Sequence, residues 1–315
     1  MLDIKRFIAS LTFIFTLGSL FAQDSCWVQV RIPVACIRDG KGHATEMTSQ
    51  AIMGTPLLLL DSVNGEWLHI KAPDGYEGYM NVSSVAFKSS SEMEAWRKAR
   101  RMTVTSYPEI KLYSNPRDFS SRNTVTELVN GSIAELIDSV GDMNLLRLPD
   151  GREGWAKRTA LTPIEMWASQ PFDADSIIAR CYALMGTPYL WGACSTKSVD
   201  CSGLVRVSYF ANGILTLRDA RQQIEIGERI PATDTAALRR GDLLFFSSTP
   251  DGRIGHVAIY DSDGRYIHSS GRVKTNVMSN DDPDFSNRVY RGASRIDGMI
   301  PSEGITQVID HPWYF

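Results

Sequence analysis

The sequence predicts an α+β protein in which two small β-barrels precede a domain of helices followed by an antiparallel sheet. Three observations carry that reading. A strand-and-turn pattern occurs twice in the first half of the chain. Residues 173–185 then switch to helical spacing, with Ile177, Ile178, Cys181 and Leu184 on one face. Beyond them, apolar runs alternate with Gly and Asp turns, as paired strands do. Helices gathered before strands, rather than alternating with them, make this last domain α+β.

The elements follow in order. At 315 residues the chain has room for two or three cores, and its 43% hydrophobic content is that of a globular protein. Residues 1–22 read as a secretion signal. Lys5 and Arg6 form a charged start, Phe7 to Phe21 an apolar stretch, and Ala22 a small residue before the cut. The stretch is short for a membrane span, which takes about 20 residues. The polar Gln23-Asp24-Ser25 argues against a lipid on Cys26. The expectation is an exported protein, periplasmic or extracellular, with no stable membrane insertion after cleavage.

Residues 23–90 and 103–165 read as the two barrels, joined by a short helix over 91–102. Leu59-Leu60-Asp61-Ser62-Val63 returns at Leu136, 77 residues on. Pro73-Asp74-Gly75-Tyr76-Glu77-Gly78-Tyr79 returns at Pro149, 76 residues on, as Pro149-Asp150-Gly151-Arg152-Glu153-Gly154-Trp155. In each copy an apolar strand runs into a Pro-Asp-Gly turn and back through an aromatic strand. Two copies are too few for a solenoid. The basic cluster Arg97-Lys98-Ala99-Arg100-Arg101 reads as a solvated helix end, and with a net charge of −3 no nucleic-acid partner is expected.

The last domain, from residue 172, carries the chemistry. Asp200-Cys201-Ser202-Gly203 opens the apolar run Leu204-Val205-Arg206-Val207, which puts a cysteine at a helix start, where unpaired amides and the helix dipole favour thiolate. Downstream, Asp242-Leu243-Leu244-Phe245-Phe246 reads as a buried strand. His256 and His268 lie on two strands, symmetric about Ser262, so a tight hairpin there sets them face to face, about 5 Å apart at Cβ. One ring then serves as base and the other fixes its tautomer. A lone cysteine or histidine is usually structural, but these three fall in one domain. Five cysteines leave one unpaired; Cys26 with Cys36 and Cys181 with Cys194 are open pairings that spacing cannot decide. No metal or other cofactor is expected, since there is no Cys-x-x-Cys pair and thiol hydrolysis needs none.

The segment Gly186 to Gly203, with Tyr189, Trp191-Gly192 and Asp200-Cys201-Ser202-Gly203, resembles the NlpC/p60 cell-wall peptidases. Arg240-Gly241-Asp242, Gly255-His256-Val257 and Ile267-His268 follow in the same pattern. The repeated Glu-Gly-aromatic pattern resembles bacterial SH3-like domains. The resemblance implies a pared-down papain-like domain with Cys201 as nucleophile, His256 as general base and acid, His268 as the orienting member and Tyr189 at the oxyanion.

With two SH3-like domains in front, Trp191 and Arg218-Asp219 resemble the members that cut free stem peptides between γ-D-glutamate and the diamino acid. Those members need an unblocked amino-terminal L-alanine. The resemblance implies Asp219 as partner of that ammonium, Trp191 as an apolar wall and Ser202 as a contact to the bound dipeptide. Glu46 and Tyr76 are the candidates from the first barrel. The expected partners are thus peptidoglycan-derived peptides, bound by a monomer. Two alternatives stand beside this: an amidase at the muramoyl-alanine link or a peptidase on intact wall, and a non-catalytic wall-binding protein. Asp219 separates the first alternative and the reactivity of Cys201 the second.

Overall fold

The computed structural model describes residues 27–63 and 65–315. The secretion-signal segment 1–22 and Cys26, one half of a bridge considered above, lie outside the described residues. Seven strands from Trp27–Val30 to Val85–Lys88 form an antiparallel sheet in the order third, second, sixth, fifth, fourth, first, seventh. Seven more, from Arg101–Val104 to Leu161–Pro163, repeat that order. The repeated sequence explains why. Both Pro-Asp-Gly turns need a glycine with positive φ, +81° at Gly75 and +85° at Gly151. Just beyond, a Cβ on Gly78 would come within 2.6 Å of Ile37, and one on Gly154 within 2.8 Å of Leu112. Each sixth strand crosses its second strand where only glycine fits.

The joining helix is Ser90–Lys98, closed at its start by a capping box between Ser89 and Glu92. It ends earlier than its basic tail suggests, because Arg101 opens the first strand of the second barrel. Arg101 is also not solvated. It is 1% exposed, its guanidinium lies over Trp96 and Phe315, and it donates to the carbonyls of Tyr314 and Arg97. The planar guanidinium stacks on aromatic faces where an ammonium would stay hydrated.

In the last domain, helix Ala174–Ala183 buries Ile177, Ile178 and Cys181 as its spacing predicts. Helix Cys201–Phe210 packs beside it. Six antiparallel strands follow: Glu228–Ile230, Leu243–Ser247, Ile254–Ser262, Arg265–Ser270, Arg272–Val277 and Val289–Arg295. They lie in the order first, sixth, second, third, fourth, fifth. Strand alternation sorts the side chains. Leu243, Phe245, Val257, Ile259 and Ile267 share the core of the two helices. Leu244, Phe246, Ala258 and Tyr266 form a second cluster. Cys36, Cys181, Cys194 and Cys201 are all free thiols, so the Cys181–Cys194 pairing is not formed. Cys181 instead contacts the Ser208 hydroxyl at 3.2 Å, and Cys194 donates to the Gln50 carbonyl at 3.2 Å.

Candidate active site

Cys201 is the first residue of its helix, and Asp200 is the N-cap. The Asp200 carboxylate accepts from the Gly203 N–H at 2.6 Å and from the Gly192 N–H at 2.9 Å, tying the preceding loop to the helix start. Gly203 is dictated by proximity, since a Cβ there would sit 2.0 Å from the Ala193 carbonyl oxygen. The thiol accepts from the backbone N–H groups of Val257 and Ser202. Val257 follows His256, so the thiol and the histidine strand meet at this point.

The thiol does not behave as the helix-start argument expects. Burial, then the Asp200 charge, pushes it up to about 11, against the two N–H contacts and Arg218. The helix dipole contributes about 0.3–1 kcal/mol near a terminus, whereas desolvation of a buried group moves a pKa by units. Burial and the neighbouring His268 hold His256 well below its ordinary range. Burial thus disfavours the charged form of both groups.

The histidines lie on one hairpin, but not directly opposite. Its register pairs Ile259 with Ile267 and Tyr260 with Tyr266, then shifts by one before Ser262 and Arg265. The turn is Asp263-Gly264, both with positive φ (50° and 75°), the backbone of a tight two-residue connection. This moves the centre beyond Ser262, and one more step along the register sets His268 against Ala258. His256 is the diagonal neighbour. The rings still meet: His256 Nε2 lies 2.8 Å from His268 Nδ1, with ring centroids 5.0 Å apart. His268 is fully buried, which lowers it to about 4. Its Nε2 lies 2.8 Å from Asn276 Oδ1, and Asn276 Nδ2 donates to both oxygens of Asp282.

Behind the Cys201 thiol sits a group whose role the sequence did not reveal. Arg218 is 2% exposed and donates to Asp200 Oδ1 at 3.2 Å and Oδ2 at 2.5 Å. It also donates to the Ser202 hydroxyl at 2.8 Å and, from Nε, to Ser49 of the first barrel at 3.2 Å. Arg218 thus balances the carboxylate that caps the Cys201 helix. The Ser202 hydroxyl is buried in this network and also donates to Asp200 at 3.3 Å.

The other candidate residues surround this centre unevenly. Tyr189 is half-buried; burial, then the charges of Cys201 and Asp200, pushes its hydroxyl up to about 12, so it stays a proton donor near the thiol. Trp191 is 59% exposed, on a loop held to the first barrel at Gly192, where a Cβ would meet the Met47 carbonyl oxygen at 2.3 Å. Asp219 caps the short helix Ala220–Gln223, and its N–H donates to Gln222 at 2.9 Å. Its carboxylate is 31% exposed, with a loose 3.6 Å pair to Arg221. Tyr76 of the first barrel feels Asp219: burial first, and the charges of Asp219 and Asp74 after it, raise its hydroxyl. Glu46 is exposed, next to Met47. Ser49, Asn276 and Asp282 were not singled out in the sequence. Only Asp282 carries a local signal, as an N-cap before Pro283.

Comparison with known proteins fits this geometry. The NlpC/P60 family matches residues 186–292, and the bacterial dipeptidyl-peptidase SH3 domain matches residues 37–85. Dipeptidyl-peptidase 6 of Lysinibacillus sphaericus is 29% identical over 76% of this chain and 86% of its own. A gamma-D-glutamyl-L-lysine dipeptidyl-peptidase of Bacillus cereus is 27% identical over 72% of this chain and 68% of its own. An NlpC/P60 family protein of Bacillus cereus shares the fold, with a TM-score of 0.73 at 22% identity over 85% of this chain and 99% of that one. A cysteine at a helix start, a hydrogen-bonded histidine pair on the facing strands and these matches together give the chain an NlpC/P60 domain behind a bacterial SH3 domain and make it a hydrolase of peptide bonds.

Proposed function

We propose that the protein hydrolyses the bond between γ-D-glutamate and the diamino acid in peptidoglycan stem peptides whose amino-terminal L-alanine is free. The observation that carries this reading is that the charge of Asp219, next to the Arg218–Ser202 network, reaches Tyr76 of the first barrel. A part-exposed carboxylate with only a loose ion pair suits the ammonium of a short peptide. A peptide still joined to muramic acid brings no such charge, and Asp219 would lose its partner. Trp191 supplies an exposed apolar surface at the rim, and Glu46 a second carboxylate on the barrel side. The named activity of the Bacillus cereus relative supports the same bond. Export would bring the enzyme to such peptides in the periplasm or outside the cell.

In this reading the Cys201 proton passes to His256 as Sγ attacks the γ-carbonyl carbon of D-glutamate. Tyr189 and backbone N–H groups hold the oxyanion. The leaving amine takes the proton from His256 as the C–N bond breaks. Water then cleaves the thioester, giving its proton to His256 and finally to the thiolate.

The test is hydrolysis of L-Ala-γ-D-Glu-L-Lys and its diaminopimelate counterpart by purified protein, each beside its N-acetylated form. Cys201→Ala should abolish cleavage with folding intact. Asp219→Ala should lower kcat/KM on the free-amine peptide about 10–100-fold, the worth of a charged hydrogen bond. Equal cutting of the acetylated peptide removes the free-amine requirement, and cleavage by Cys201→Ala removes the mechanism.

A further inference from the structure

We propose that Asn276 and Asp282 are positioning residues: a carboxylate–amide pair that sets the tautomer of His268 and, through it, of His256. The proposal rests on the reading of Cys201, His256 and His268 as the catalytic groups. It adds two residues from the sheet edge and the loop beyond it.

The argument runs from the carboxylate inward. Asp282 accepts from the Val277 N–H at 3.0 Å and from the Asp284 N–H at 2.9 Å, which fixes it between the edge strand and helix Pro283–Ser286. Its two oxygens lie 2.9 and 2.8 Å from Asn276 Nδ2. A carboxylate only accepts, so the amide nitrogen must face it, and this decides which way the Asn276 amide points. The amide oxygen then faces His268 Nε2 at 2.8 Å. That oxygen has no proton to give, so His268 Nε2 carries the N–H. In a neutral ring the other nitrogen, Nδ1, is then the acceptor.

His268 Nδ1 faces His256 Nε2 at 2.8 Å. His256 must therefore donate from Nε2, which leaves its Nδ1 with the free lone pair. Nδ1 is the atom available to take the thiol proton. Every link has one possible direction, and all are set by Asp282. Without it the Asn276 amide can rotate by half a turn, present its NH₂ to His268, and favour the opposite tautomer on both rings. His256 would then hold a proton where it needs a lone pair. Removal of an outer partner of a histidine costs about 10–100-fold in the metal sites where it has been measured.

The test uses the full chain with ¹⁵N-labelled histidine, the two rings being assigned by His256→Gln and His268→Gln. Nitrogen–proton correlation spectra should show both as Nε2–H tautomers near neutral pH. In Asn276→Leu, His268 should lose its single tautomer. On the free-amine peptide, kcat should fall about 10–100-fold, with KM within about twofold and the melting temperature nearly unchanged. Asp282→Asn keeps an N-cap of equal quality and should move both readouts in the same direction by less. An Nδ1–H tautomer on His268 in the unaltered protein overturns the proposal, as does a folded Asn276→Leu that keeps its tautomer and kcat. If Asn276→Leu does not fold, an unchanged His268 spectrum in Asp282→Asn overturns it equally. A Cys201→Ala variant that still cleaves peptide would strike the catalytic reading and leave the tautomer result standing.

Discussion

The two barrels share a strand order and a Pro-Asp-Gly turn, yet the same turn meets different surroundings. In the first barrel Asp74 pairs with Arg206 of the Cys201 helix at 2.8 Å, with the carboxylate 1% exposed. The His311 ring also reaches the Pro73 carbonyl from the last turn of the chain, at 3.0 Å. In the second barrel the equivalent Asp150 pairs with Arg152, two residues along, and the arginine is 42% exposed. The second barrel meets the catalytic domain through other groups: Arg101 at the Tyr314 carbonyl, Tyr107 against the catalytic core, and Lys197 with Glu109 and Glu127 on an open surface. Identical local sequence therefore builds the same turn, and its energetic weight comes from what the neighbouring domain brings to it.

The largest test of this contrast is a pair of matched substitutions. Asp74→Ala removes the buried carboxylate from a part-buried ion pair and should cost roughly 3–5 kcal/mol, whereas Asp150→Ala should cost under about 1 kcal/mol. Thermal melts of the two variants measure both, and equal losses would erase the distinction between the barrels. Acid should act on the same side of the molecule, since the second barrel contains no histidine. Burial lowers His268 to about 4 and lowers His311 as well. As pH falls through 6.5 the unfolded chain takes up a proton that the folded His268 refuses until about pH 4. Stability is therefore full above that window and falls within it, by roughly 3 kcal/mol for this one group. Melts at pH 7 and 4.5 should show a smaller loss in His268→Gln than in the unaltered protein.

A finer comparison sets Ser49 against Thr126, its counterpart 77 residues on. Ser49 accepts from Arg218 and Arg206, so Ser49→Ala leaves buried donors short of a partner, at about 1–3 kcal/mol. It should also lower kcat/KM, because Arg218 braces the cap of the Cys201 helix. Thr126→Ala should change neither stability nor rate beyond about 0.5 kcal/mol. The smallest effect belongs to Lys197→Ala, whose exposed pairs to the second barrel contribute about 0–1 kcal/mol and weaken in salt. A large loss there would put these surface pairs on a level with the buried Asp74 pair.

Much of this was legible in the sequence, and the limits have physical causes. The repeat predicted two sheets of one order because turn glycines and alternating strands are local signals. The helix start at Cys201 was equally local. The hairpin register was not, since the turn closes at Asp263-Gly264 instead of on Ser262 and, with one bulge, sets His268 against Ala258, diagonal to His256. The Arg218–Asp200 pair spans 18 residues, and the Asn276–Asp282 link depends on where a sheet edge meets a loop. Neither follows from spacing. Burial likewise reversed two charge arguments, at the Cys201 thiol and at Arg101, because exposure is a property of the assembled molecule.

The close approach of Gly192 to Met47 bears on how such proteins can be recombined. Transplanting the catalytic domain behind another barrel would need a partner whose strand leaves the same room for that glycine and offers counterparts of Ser49 and Gln50. The first barrel and the catalytic domain should therefore travel through gene fusion as one heritable unit. The second barrel is tied to the same unit, by the buried Arg101 at the Tyr314 carbonyl and by the Thr196 hydroxyl at the Pro108 carbonyl.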